Sequence, residues 1–210
     1  MKNDPIRIGI NPISWSNDDL PSLGGETPLS TALTEGKAIG YEGFELGNKF
    51  PKDPAELREL MAGYGLDVVS GWYSGRIAAR SAKEECEAVG KHLRLLAENG
   101  CKVMVYGEVA DAIQGEPVPL YKRPRLRNAA EWKAYGDRLT EFAPITLSHG
   151  VRLAYNHHMG AYVESPEDIA RLMENTVDDV GRLFDSGDSH FSRGESLTVL
   201  DSPIERICHE

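Results

Sequence analysis

Short runs of apolar and β-branched residues recur along this chain, separated by longer stretches in which apolar positions return every three or four residues. The short runs, residues 6–11, 41–47, 66–74, 101–109, 151–158 and 180–187, read as strands, and a seventh begins near Arg206. The longer stretches read as helices. A strand–helix unit repeated about six times predicts an α/β fold with a parallel sheet, since each crossover helix returns the chain to the same end of the sheet.

The helix starts carry their own signals. Thr27-Pro28, Asp53-Pro54 and Ser165-Pro166 each set a capping oxygen before a proline at the first helical position, where a missing N–H costs nothing. Ser81 to Glu84 reads as a capping box, and Asn128 to Glu131 as a close variant. Gly40, Gly65, Gly100 and Gly150 each fall just before a strand, the usual place for a left-handed helix end. Two stretches break the rhythm. Pro144 sits in an otherwise helical run and is expected to kink or split it. Residues 110–127 hold three prolines and the cations Lys122, Arg123, Arg125 and Arg127, a long solvated loop after the fourth strand, with a lid or subunit contact as the alternative.

A βα repeat closes as a barrel or stays open as a doubly wound sheet. No GxGxxG follows the first strand and no Gly-Lys-Ser/Thr occurs, so a nucleotide-binding open sheet loses its main support. Polar and aromatic residues gather instead at strand C-terminal ends: Asn11, Glu45 with Asn48 and Lys49, Trp72 with Tyr73, Tyr106 with Glu108, Asn156-His157-His158, and Asp185. That distribution predicts a (β/α)8 barrel of the TIM type, with its site on the C-terminal face.

Composition narrows the function classes. Lys and Arg number 23 against 33 Asp and Glu, a net charge of −10, which argues against a nucleic-acid partner. No run approaches the roughly 18 consecutive apolar residues of a membrane span, and no apolar signal-peptide core opens the chain. Cys86, Cys101 and Cys208 form no CxxC pair, which fits thiols kept reduced in a cytoplasmic protein. With 40% hydrophobic residues, one domain over residues 1–210 is expected.

The strings Gly43-Phe-Glu-Leu-Gly-Asn-Lys-Phe50, Val69-Ser-Gly-Trp-Tyr-Ser-Gly75, Lys102-Val-Met-Val-Tyr106, Arg152-Leu-Ala-Tyr-Asn-His-His-Met-Gly160 and Leu183-Phe-Asp-Ser-Gly187 together resemble the inosose dehydratases, barrels similar to xylose isomerase. The resemblance runs from about Ile6 to His209. It implies a Mn²⁺- or Co²⁺-dependent dehydration of 2-keto-myo-inositol in inositol catabolism, with glutathione as an accessory cofactor. Three departures stand out. Asn156 replaces a histidine of the relatives, and Asp188 replaces the histidine of their Asp-Ser-Gly-His motif. The chain stops at Cys208-His-Glu210, where the family continues through a His-x-Lys-Asp strand and an eighth strand bearing a metal-binding glutamate. The barrel is therefore expected to be incomplete after six to seven βα units, and its open edges predict association, for example as a homo-oligomer.

Removing water beside a ketone starts with loss of the α-proton, and a divalent metal can hold the resulting charge as a Lewis acid. The candidate metal ligands are Asp185, Asp188 and His209, and the candidate acid–base groups are His157, His158, Glu45 and Lys49. Asn11, Trp72, Tyr73, Tyr106 and Asn156 are the candidate substrate contacts. Strand alternation sets Asn156 and His158 on one face and His157 on the other, which favours His158 for the interior. Each has a plainer alternative: Asp185 as a turn former, the histidines as a core residue and its neighbour, Glu45 with Lys49 as a surface ion pair, and Trp72 with Tyr73 as packing aromatics. The dehydratase reading competes with a sugar isomerase or epimerase on the same barrel, and with an inactive barrel or binding module.

Overall fold

In the computed structural model, which describes residues 7–192 and 204–209, seven parallel strands stand side by side in chain order. They are β1 (Gly9–Ile10), β2 (Gly43–Leu46), β3 (Asp67–Gly75), β4 (Val103–Glu108), β5 (Arg152–Asn156), β6 (Val180–Leu183) and β7 (Ile207–His209). The helices between them are α1 (Leu29–Ile39), α2 (Pro54–Tyr64), α3 (Ala82–Glu98), α4 (Ala129–Ser148), α5 (Pro166–Glu174) and α6 (Ser186–Phe191). The fold is thus the α/β, TIM-barrel-like arrangement read from the pattern, present as a seven-stranded part-barrel.

Register decides what each face of the sheet carries. Tyr73 pairs with Tyr106, Tyr106 with Tyr155 and Tyr155 with Arg182, while the adjacent row runs Trp72, Val105, Ala154, Gly181. Because side chains alternate across a strand, the two rows point to opposite faces. The tyrosine row faces outward, where Phe44, Leu57, Leu93, Met104, Leu139, Phe142 and Leu153 join it in one large core against the helices. The tryptophan row faces inward, where among the described residues Val105, Ala154 and Leu183 form a small apolar cluster with Trp72, Val103 and Cys208 packed against it.

Two glycines let these rows interlock. The Trp72 ring lies over Gly107 on the inner face and the Tyr106 ring over Gly75 on the outer face, each filling the space that a Cβ would take. Tyr106 is fully buried, so it has no room to yield.

The local expectations fare unevenly. Asp53, Ser81, Asn128 and Ser165 cap α2, α3, α4 and α5 through their side chains, with a full capping box at Ser81. Gly40, Gly65, Gly100 and Gly150 all take left-handed φ values. Thr27 is not a cap: α1 starts at Leu29 behind Pro28, with no side-chain cap bond. Pro144 does not split α4, which runs unbroken through it because Leu139, Phe142, Ala143 and Thr146 are buried on both sides and hold the helix to the sheet. The first strand is shorter than 6–11, and Ile6 lies outside the described residues. The fifth and sixth strands end at Asn156 and Leu183 rather than at 158 and 187. In the sixth, capping chemistry wins over strand extension: Asp185 Oδ1 accepts from Asp188 N at 2.8 Å and opens α6.

Glu108 ends β4 on the outer face, 2% exposed. Its carboxylate accepts from Ala78 N, Ala110 N and the Tyr106 and Tyr135 hydroxyls at 2.9–3.3 Å, tying the loops after β3 and β4 together. Burial outweighs these bonds and pushes its pKa up to about 7. A carboxyl whose folded pKa lies above its unfolded value stabilises most fully at low pH and loses that contribution as pH rises through 7. Stability is therefore expected to fall between pH 5 and pH 8 by up to about 3 kcal/mol from this group. Urea denaturation of wild type and Glu108→Gln across that range checks it, the variant losing this slope; parallel curves would show that Glu108 does not titrate there.

Candidate functional site

The inner face of the sheet opens into a cleft of about 850 Å³ that runs from the strand N-termini to their C-terminal ends. Its C-terminal mouth is lined by Asn11, Asp18, Asp19, Glu45, Trp72, Asn156, His158, Asp185, Asp188 and His209. Nine residues singled out from the sequence are thus accounted for by geometry in two groups: eight of them share this mouth, while His157 lies just beneath it. Lys49, Tyr73 and Tyr106 are elsewhere.

Glu45 stands on β2, buried, with both carboxylate oxygens engaged. Asn11 Nδ2 donates to Oε1 at 2.5 Å and Ser70 Oγ donates to Oε2 at 2.6 Å. Desolvation pushes the Glu45 pKa up, opposed by these two bonds and reinforced by Asp185. The β3 residue Ser70 was missing from the sequence reading, although it lies two positions before Trp72 and therefore on the same face.

His158 has left the ladder of β5 and sits in a tight loop, its N–H donating to Val163 O at 3.1 Å and its carbonyl accepting from Ala161 N. Its Nδ1 lies 2.9 Å from the Met159 carbonyl, which can only accept, so Nδ1 carries a proton and Nε2 is the nitrogen that holds the lone pair in the neutral imidazole. The Trp72 ring meets the imidazole edge-on, with centroids 6.0 Å apart. Asn156 is 6% exposed, and its Oδ1 has no hydrogen-bond partner.

His157 points the other way, as alternation requires. Its Nε2 lies 3.4 Å from Ser189 Oγ, whose own proton goes to Asp185 O at 2.6 Å. Burial lowers its pKa to about 4, so it stays neutral near pH 7. Asp185 caps α6 through Oδ1, and Asp188 accepts from the Met159 amide, with burial raising its pKa. His209, on β7, is likewise pushed down by burial.

Three expected site residues are corrected by placement. Tyr73 and Tyr106 follow Trp72 and Val105 by one position and so face the helices. The Tyr73 hydroxyl accepts from Arg80, while the Tyr106 hydroxyl accepts from Ile77 N and donates to Glu108. Lys49 makes no pair with Glu45; its Nζ donates to the carbonyls of Gly24, Gly25 and Thr27, fastening the loop before α1. The solvated-loop reading of residues 110–127 holds for Lys122, Arg125 and Arg127, which are exposed, and fails for Arg123. Arg123 is buried, ion-paired to Glu164 at 3.1 Å and Asp168 at 2.6 Å, and bonded to the carbonyls of Ala161 and Tyr162. It thereby clamps the long loop to the segment that carries His158.

The candidate metal ligands Asp185, Asp188 and His209 share the mouth. Among the described residues, however, no three His, Cys, Asp or Glu side chains converge as a metal-holding group. Asp185 and Asp188 spend acceptor capacity on the amides of Asp188 and Met159. The donor set does not fit a bound ion as it stands.

A sheet of parallel strands in chain order, with a polar cleft at their C-terminal ends, defines a barrel of the TIM class. Residues 33–209 match the family described as "Xylose isomerase-like TIM barrel", and the chain belongs to that family. A relative is the rhizopine catabolism protein MocC of Rhizobium meliloti, 45% identical over 97% of this chain and 63% of that protein. An inosose dehydratase of Geobacillus thermodenitrificans is 36% identical over the whole chain and 71% of that enzyme. The chain thus spans about two thirds of the length of these relatives. Among solved structures, a sugar phosphate isomerase/epimerase from Parabacteroides distasonis superposes with a TM-score of 0.70 at 15% identity, over 99% of this chain and 75% of that one. The IOLI protein with a bound zinc atom gives 0.67 at 16% identity, over 96% and 70%. No helix among the described residues is long and apolar enough to cross a membrane.

Replacing Arg123 by Met leaves two nearly buried carboxylates without their cation. A loss of about 3–5 kcal/mol is expected in urea unfolding, with faster proteolytic cleavage inside residues 110–127. Unchanged cleavage would mean that the loop is held by other contacts.

Proposed function

We propose that this chain acts as a carbon–oxygen lyase of the inosose dehydratase kind, removing water from 2-keto-myo-inositol. The single observation that carries the reading is the meeting of Glu45, His158 and Asn156 at one cleft mouth, in a chain 36% identical to an inosose dehydratase. Dehydration beside a ketone needs a base for the α-proton and an acid for the departing hydroxyl. His158 supplies the base, since its proton is fixed on Nδ1 and its Nε2 lone pair is free. Glu45 supplies the acid: burial favours its protonated form, and Asn11 with Ser70 hold the carboxyl in one orientation. Asn156 lines the mouth as a contact for a substrate hydroxyl, and Trp72 covers the apolar face of the ring.

His157, neutral and turned away, positions α6 through Ser189 and moves no proton. A divalent ion such as Mn²⁺ or Co²⁺ would stabilise charge on the ketone oxygen, but the described donors do not converge on one, and no step here draws on a metal or on glutathione.

Mass analysis of 2-keto-myo-inositol incubated with the chain in D₂O is expected to show loss of one water. Glu45→Gln and His158→Asn should each lower the rate by about 10²–10⁴-fold, whereas Tyr106→Phe should alter stability alone. Deuterium gained at the α-carbon with no water lost would replace dehydration by isomerase or epimerase chemistry.

A further inference from the structure

The mouth of the cleft is chemically one-sided. It is lined by the carboxylates of Asp18, Asp19, Asp185 and Asp188, with Glu45, whose burial favours its protonated form, beside them. The cations that line the cleft, Arg7 and Lys102, lie before β1 and β4, at the opposite end of the sheet, and Arg7 is already paired with Glu42 and Asp67. Asp18 and Asp19 belong to the loop after β1 and have no part in the acid–base chemistry above. That loop is anchored over the end of β2: Asn48 N donates to Asp18 Oδ2 at 2.8 Å, and a Cβ at Gly47 would come within 2.9 Å of the same oxygen. The same mouth is lined by Asn156, which is 6% exposed and whose Oδ1 has no hydrogen-bond donor.

We propose that Asp18 and Asp19 are specificity-determining residues that admit hydroxyl-rich, uncharged rings to this cleft and turn away phosphorylated or carboxylated sugars. The inference rests on the reading of the cleft as a polyol site and adds to it the choice among polyols. A wall of acceptors matches a ligand that brings O–H donors, because each hydroxyl satisfies an oxygen otherwise left bare. The same wall repels an anion: carboxylates of one sign beside a low-dielectric floor focus their field into the opening. A phosphate group would also find no lysine or arginine among the residues lining this end, since Lys52, the cation that feels the charge of Asp18, turns its Nζ to the Gly47 carbonyl at 3.1 Å.

The filter can be read without any turnover. In a Trp15→Phe background, where Trp132 is buried, Trp72 reports on the cleft, and its quenching by iodide is compared with that by neutral acrylamide at fixed ionic strength. Asp18→Asn with Asp19→Asn is expected to raise the iodide quenching constant about twofold or more while leaving acrylamide unchanged. Glu56→Gln with Glu59→Gln, the same charge change on the outer helix α2, should leave both constants alone. An iodide constant unmoved by the cleft pair, or moved equally by the α2 pair, overturns the inference. Calorimetry supplies the second arm. Wild type is expected to bind 2-keto-myo-inositol over myo-inositol 1-phosphate, and the cleft pair to shrink that preference tenfold or more. Equal binding of the phosphate by wild type overturns the filter. Failure to bind the keto-cyclitol while the iodide effect persists overturns the dehydratase reading and leaves the filter standing.

Discussion

The alternation of side chains across a parallel sheet governs everything else in this molecule. One residue outward places a tyrosine among leucines beneath α3 and α4; one residue inward places a tryptophan at a wet cleft. The outer face carries the large apolar core that holds the helices to the sheet, while the inner face carries Glu45, Asn156 and Asp185. The register keeps the two chemistries apart, since a slip by one position would exchange them.

Two buried carboxyls show how position separates roles. Glu45 and Glu108 are both desolvated and both pushed upward in pKa. Glu108 is surrounded by backbone amides and tyrosines on the side of the helices and serves as a knot between loops. Glu45 accepts from Asn11 and Ser70, feels the charge of Asp185 and lines the open cleft where a ligand fits. The difference lies in which face each strand presents at its last turn.

The sequence was legible where structure is local. Asp53, Ser81 and Ser165 announce their helices because a cap needs only the next three residues. The strand ends were legible as a region, and Glu45, Trp72, Asn156, His158 and Asp185 do meet there. Tyr73 and Tyr106 were gathered with them by nearness to the ends, without asking which face each neighbour takes. Lys49 and Arg123 were unreadable for another reason. Their partners are carbonyls and carboxylates 22 to 45 residues away, a pairing that only the folded chain brings about. Asp18 and Asp19 sit in a loop whose path over Gly47 leaves no periodic trace.

Strand order equal to chain order has a consequence for how such a sheet comes into being. Every strand finds its partner in the one made just before it, so the structure can lengthen at one edge while the polypeptide is still emerging from the ribosome. The newest edge, where Arg206 fastens β7 by bonds to the carbonyls of Met173, Thr176, Val177 and Val180, is the part that each further segment would have to recognise.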